Sequence, residues 1–210
     1  MTLTNCYLTL ADLAVRLSLD DQDEDQRLSS AANAACRMID KWCGQFFYDT
    51  GSATARVYRP NNSRELRVDP FSTTTGLIVQ TDSDDDGTFA TTWGTVDYEL
   101  SPAGGYDPIL GSVPYDEITA VSTSLMFPTW LRRRNSVQIT ARWGWAAIPE
   151  EVSEAAKILA VDLWKRKDTP FGITSATADF GALRIGRDSL AGVMSILQPF
   201  RRWDRVVGFA

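Results

Sequence analysis

The order of local patterns along the chain limits the fold more than any single motif. Helical spacing of apolar residues opens the sequence and runs to about Gly44. A block rich in Thr, Gly, Asp and aromatic residues follows, with a period of two. At Pro149 the spacing returns to that of a helix and stays mostly helical to the end. Helix, then strands, then helix predicts an α+β fold: a helical-bundle core, made of an N-terminal helix pair and C-terminal helices, with a small antiparallel β module inserted. The expected spans are 1–54, 55–147 and 148–210, the last with a long loop at 168–187 and a C-terminal docking tail.

The first helix is expected to start at Thr9, where Thr9 and Asp12 form a capping box with Asp in the place of Glu or Gln. Leu10, Leu13, Ala14 and Leu17 then share one face. An acidic run from Asp20 to Asp25 reads as a solvated loop and the negative first turn of the next helix. In that helix Leu28, Ala31, Ala32, Ala35, Ile39 and Trp42 recur at three- and four-residue spacing, and Gly44 suits its end. Pro149, Glu150 and Glu151 announce a third helix, with Val152, Ala155, Ala156, Leu159, Ala160 and Leu163 on its buried face. A last helix spans about Asp188 to Leu197, halted by Pro199.

Between these lie the strand candidates. Val137, Ile139, Ala141 and Trp143 alternate with Gln138, Thr140 and Arg142, a half-buried strand. Shorter candidates are Ala55 to Arg59, Glu65 to Val68, Leu77 to Thr81, Thr88 to Trp93, Tyr98 to Leu100 and Ile118 to Ser124. The stretches starting at Pro60, Ser72 to Gly76, and Pro102 to Gly105 read as turns.

Function classes narrow quickly. The 210 residues contain no histidine. This excludes a Ser-His-Asp triad, a Cys-His pair and any imidazole-bound zinc. No carboxylate pair or Ser-Lys spacing nominates an alternative, so a non-enzymatic protein is expected, without cofactors. The formal net charge of −6 argues against broad binding to nucleic-acid phosphates. No run is long and apolar enough to cross a membrane. Met1 to Leu10 lacks the pattern of a leader, so folding in the cytoplasm is expected. Of the three cysteines, Cys36 and Cys43 sit on one helix roughly 10 Å apart, too far to bridge. Buried, reduced thiols are expected.

Four local features suggest interactions. Asp82, Asp84 and Asp86 with Gly87 match the first half of a calcium loop, but Trp93 stands where the closing Glu would be. A hydrophilic hairpin tip is favoured, with the three aspartates as weak calcium candidates. Arg132 to Arg134 form a basic cluster beside Trp130, read as a solvated turn or a contact for an acidic partner. Trp143 and Trp145 read as strand-end packing rather than as a stacking platform. The tail from Phe200 carries Arg201, Arg202, Arg205, Trp203 and Phe209, residue types enriched at interface hot spots. It either docks on a partner or folds back on its own core.

Three stretches resemble the head-to-tail adaptor family of tailed bacteriophages, also called connector or head-completion proteins. Tyr7 to Leu13 (YLTLADL), the acidic linker and Ala34 to Gly44 (AACRMIDKWCG) are similar to the family's opening helix pair. Thr140 to Pro149 (TARWGWAAIP), Ala155 to Ala160 (AAKILA) and Lys165 to Gly172 (KRKDTPFG) resemble its strand-to-helix junction. Thr73 to Leu77, through the aspartate-rich hairpin to Trp93, resembles a β insertion found in some members.

The resemblance implies a structural role in the virion neck, after synthesis in the host cytoplasm. A ring of about twelve subunits would assemble beneath the portal protein, extend the DNA channel, and offer a surface to a stopper or tail component. DNA would pass without specific binding. It implies a portal or ring interface within Leu190 to Trp203, with Leu190, Leu197, Phe200, Arg201, Arg202 and Trp203 as candidates. The loop carrying Phe171, Phe180 and Arg184 would face the lumen or the next ring. A neck stopper or tail-completion protein, and a calcium-dependent binding module, are the alternatives.

Overall fold

A computed structural model of the chain describes residues 3–18, 25–122, 124–131, 135–165 and 187–202. The chain divides into two compact units, Met1–Tyr48 with Ile148–Ala210, and Asp49–Ala147.

The first unit holds the four helices found among the described residues: α1 (Leu10–Leu17), α2 (Asp25–Cys43), α3 (Glu150–Lys165) and α4 (Arg187–Leu197). Local chemistry sets their ends. Thr9 caps α1, its hydroxyl accepting from the Asp12 N–H while the Asp12 carboxylate accepts from the Thr9 N–H. Two donors at the helix start are thereby satisfied. Thr9→Ala is expected to lower stability by about 1 kcal/mol, read from urea unfolding midpoints. Gly44 adopts φ +69° after α2, and its N–H reaches the Asp40 carbonyl at 2.9 Å. Helix α3 packs against α2, α4 and α1. Its buried Ala155, Ala156 and Ala160, with Ala32 and Ala35 of α2, keep the packed faces small. Leu28, Ile39, Val152, Leu159, Val193 and Leu197 fill the core around them.

The second unit is an antiparallel sheet. Its strands are β1 (Thr54–Tyr58), β2 (Glu65–Thr81), β3 (Thr91–Thr92), β4 (Tyr98–Ser101), β7 (Tyr115–Ala120) and β8 (Val137–Trp143), and a small hairpin of β5 (Tyr106–Asp107) and β6 (Gly111–Ser112) stands apart. The order is β1-β8-β2-β7-β4, with β3 paired to the end of β2. In β8, Val137, Ile139, Ala141 and Trp143 are buried, as the alternation predicts. Leu66, Val68, Phe71, Val79 and Ile118 complete the core, and Trp93 stacks on Phe127 with ring centroids 4.7 Å apart.

This corrects the expected fold class. The chain is not a helical-bundle core carrying a small β module. It is mostly antiparallel sheet: a six-stranded sheet with its own buried core forms one unit, and the other holds four helices among the described residues. The physical reason lies in β2. The run Ser72 to Gly76 reads as a turn, yet one 17-residue strand runs through it and through Pro70. Its register shifts between Arg67 and Phe71 against β7, and between Phe71 and Ile78 against β8. Such irregularities bend a strand and accommodate a proline without ending the pairing.

Candidate functional site

The residues expected to meet a partner fall in two places, one in each unit. In the first unit, α4 turns Val193 and Leu197 inward and leaves Leu190 half-buried. A short 3-10 turn, Gln198–Phe200, then brings the chain onto the end of α2. Phe200, 4% exposed, meets Phe47 edge to face at 5.8 Å. Gln45 Nε2 donates to the Phe200 carbonyl at 2.6 Å. The Arg201 guanidinium lies 4.6 Å from the centre of the Trp42 ring. The Arg202 N–H reaches the Cys43 carbonyl at 2.8 Å.

These contacts have a common cause. The end of a helix leaves carbonyls without partners and carries partial negative charge. The Arg202 N–H donates to one such carbonyl, and the Arg201 guanidinium brings positive charge to the same end. Up to Arg202 the C-terminal segment is therefore a latch on its own unit. The outward side of α4 consists of Ala191, Gly192, Ser195 and Ile196, followed by Gln198 and Pro199, all exposed. Trp203, Phe171, Phe180, Arg184, the loop residues 168–186, the acidic residues 20–24 and Arg132 to Arg134 lie outside the described residues.

Under the latch sits a polar cluster that spacing alone does not reveal. Tyr7 is buried, its hydroxyl donating to Asp40 and accepting from the Phe47 N–H at 3.0 Å. Asp40 also pairs with Arg37 at 2.9 Å. Burial, and then the Asp40 carboxylate, raise the Tyr7 pKa beyond the working range. Burial likewise raises Asp40, against the pull of Tyr7 and Arg37. The thiol of Cys43 is pushed up to about 12 by burial and by Asp40. Tyr7 and Cys43 therefore stay protonated at neutral pH, and the cluster serves to fix the segment before α1. The same segment is tied by a disulfide, Cys6–Cys36, which corrects the expectation of reduced thiols. Cys43 alone is free and buried. Cys6 reaches Cys36 through tertiary contacts, which spacing along a single helix does not record.

In the second unit, Asp82, Asp84 and Asp86 follow β2. They differ in environment: Asp82 is 1% exposed, whereas Asp84 and Asp86 are exposed. The Asp82 N–H donates to the Ser136 carbonyl, and its Oδ2 accepts from the Gly87 N–H, both at 2.9 Å. Asp86 Oδ1 accepts from the Thr88 N–H at 2.6 Å. Among the described residues no three acidic or thiol side chains converge as a ready metal cage. Trp93, at the place of a closing acid, is buried and donates its indole N–H to Thr81 Oγ1 at 3.2 Å. Trp143 and Trp145 are buried, which removes them as a stacking platform. A shallow depression of about 310 Å³ is lined by Arg59, Pro60, Asn61, Pro128, Thr129 and Leu131. No membrane-crossing helix occurs among the described residues.

The sequence matches no protein-family model. It matches no curated protein either. The structure does resemble solved ones. One is a chain in the neck of an empty gene transfer agent particle, solved with C6 symmetry, at a TM-score of 0.54 and 19% identity over 96% of this chain and 92% of that one. Another is a chain in the virion of a native gene transfer agent particle, at 0.52 and 21% over the same shares of both chains. Likeness at these identities is one of fold, and it extends over nearly the whole of each chain.

Proposed function

We propose that this chain is a structural subunit of the neck of a tailed phage or a related particle, and within the neck a head-to-tail adaptor. The observation that carries this reading is the near-complete coverage of both chains in the likeness to a gene transfer agent neck component. The sequence resemblance to the adaptor family points the same way by a separate route. A ring of about twelve copies, the number the family implies, is compatible with the six-fold symmetry of that neck, twelve being a multiple of six.

In this reading the ring sits beneath the portal, conducts DNA without binding its sequence, and receives a stopper or tail component. The net charge of −6 suits a channel that repels phosphates rather than holding them. With Leu197, Phe200, Arg201 and Arg202 holding the C-terminal segment to its own unit, the portal contact falls to Leu190, the exposed side of α4, and Trp203 with the residues after it. The loop carrying Phe171, Phe180 and Arg184 faces the lumen or the next ring.

Deleting the gene from its source particle and imaging the lysate by electron microscopy tests the proposal. The expected result is filled heads and complete tails that fail to join, with joining restored by the wild-type gene. Normal joined particles would sink the neck assignment. Density for the missing component in the arrested heads separates an adaptor, lost directly below the portal, from a stopper, lost one ring further down.

A further inference from the structure

We propose that copies of this chain join head to tail through the sheet, the β5–β6 hairpin of one copy docking beside the end of β1 on the next. The proposal rests on the neck reading and names the surfaces by which such a ring would close. Charge is unevenly spread along the chain: residues 68–131 include no Lys or Arg, while Asp and Glu recur throughout. The fold turns this run into a polarity across the sheet. Strands β1 and β4 are the two ends of the strand order. At one end, β1 and β8 carry Arg56 and Arg142, with Arg59 directly after β1, and no carboxylate. At the other, the stretch from β4 to β7 carries Glu99, Asp107, Asp116 and Glu117, and no base. Some of these charges are matched within the chain: Arg56 pairs with Asp69, Arg142 with Asp49, and Glu117 with Arg67. Arg59 and Glu99 are exposed, and among the described residues neither forms an ion pair. A cation left over at one end and a carboxylate at the other complement a second copy of the same chain.

The hairpin supplies an apolar anchor at the acidic end. Ile109 is 87% exposed and Tyr106 60%. Their turn is held in place: Asp107 Oδ1 accepts from the Ile109 N–H at 2.8 Å and from the Leu110 N–H at 2.9 Å, and Gly111 takes φ +76°. A turn fixed in this way presents its apolar side chain with little left to order on binding, which lowers the cost of docking. The depression after β1 is a mixed surface for this mixed tip. Pro60, Pro128 and Leu131 receive Ile109, while Arg59 and Asn61 meet Asp107 and the Tyr106 hydroxyl. Trp130, 66% exposed, stands in sequence between two residues of that lining, and tryptophan is a common interface anchor. Because tip and depression belong to different parts of the chain, the contact is heterologous. It repeats from copy to copy and closes into a ring where the rotation allows.

The test supplies variant genes to the deletion strain. Arg59→Glu and Ile109→Asp should each reduce joined particles at least about tenfold. Both side chains are exposed, so the purified variants should keep the wild-type Tm. Arg59→Glu combined with Glu99→Arg should restore part of the joining. Asn61→Cys together with Ile109→Cys reads the contact directly: oxidised particles should give a ladder of covalent multimers of this chain on a non-reducing gel, and either cysteine alone should not. Wild-type joining by both single variants would overturn the contact. So would particles that carry the cysteine pair and give no ladder, or a bond from it to a different virion protein. If the deletion itself leaves particles normal, the neck reading falls, and the purified full chain decides the contact separately. Asn61→Cys and Ile109→Cys chains, mixed and oxidised, should then bond to each other in excess of bonding to themselves, and a random distribution of the three dimers would overturn the contact.

Discussion

Trp143→Ala should lower stability by about 3–5 kcal/mol, the largest loss expected from any single truncation in the sheet. The side chain is fully buried at the end of β8, opposite Phe71 in register. Phe71 meets it edge to face at 6.2 Å, Tyr58 lies tilted against it at 6.0 Å, and the Arg56 guanidinium sits 4.5 Å from its centre. Its indole N–H donates to the Thr54 carbonyl at 2.8 Å. The ring thus clamps the edge strand β1 to the sheet at both ends. Removing it opens a cavity, strips a carbonyl of its donor, and unseats an arginine whose charge is otherwise shared with Asp69. A fall in Tm on the order of 10 °C follows from a loss of that size. Urea unfolding followed by circular dichroism measures it. Trp130→Ala, at a ring 66% exposed, is the control and should stay within about 0.5 kcal/mol. A loss below about 1 kcal/mol at Trp143 would mean that the clamp is not the centre of the sheet.

The contrast between these two tryptophans marks what the sequence makes legible. Trp143 belongs to a strict alternation, and the alternation fixes which face is buried. Helix starts and stops were legible for the same local reason: Thr9 with Asp12, and Gly44 after α2, act within a single turn. The size of the sheet was not. Strand β1 pairs with β8, Thr54 opposite Ala141, and no local pattern records so distant a partner. The run Ser72 to Gly76 imitates turn chemistry, and only the neighbouring strands keep β2 continuous across its irregularities. The fate of Phe200 is illegible for a related reason. An aromatic beside two arginines is equally suited to a partner's groove and to its own core, and what decides here is Phe47 and the end of α2. The aspartate loop shows a third case. Its spacing is plain in the sequence, but the burial that distinguishes Asp82 from Asp84 and Asp86 comes from the strands around it.

Reducing the Cys6–Cys36 bond should cost about 3–4 kcal/mol of stability, the chain-entropy value for a loop of this length, 30 residues apart in sequence. The bond holds the segment before α1 against α2. The reduced chain keeps other holds on that segment. Thr4 N–H donates to Asn33 Oδ1 at 3.1 Å, Arg37 donates to the Asn5 carbonyl at 2.8 Å, and Tyr7 remains buried on Asp40. The structure should therefore survive reduction with a lower midpoint, not collapse. Urea midpoints with and without a phosphine reductant measure the difference, and Cys6→Ala should reproduce the reduced value without added reductant. Alkylation in denaturant reports the pairing directly: one thiol, that of Cys43, before reduction, and three after it. Cys43 is a poor competitor for exchange, because burial holds its thiol protonated with a pKa pushed up to about 12. Three reactive thiols in unreduced protein, with an unchanged midpoint on reduction, would refute the bond. The contacts of Thr4, Asn5 and Tyr7 hold the segment before α1 on α2 independently of the bond, and so keep Cys6 and Cys36 near the 5.7 Å Cα separation at which a reduced pair can close again on oxidation.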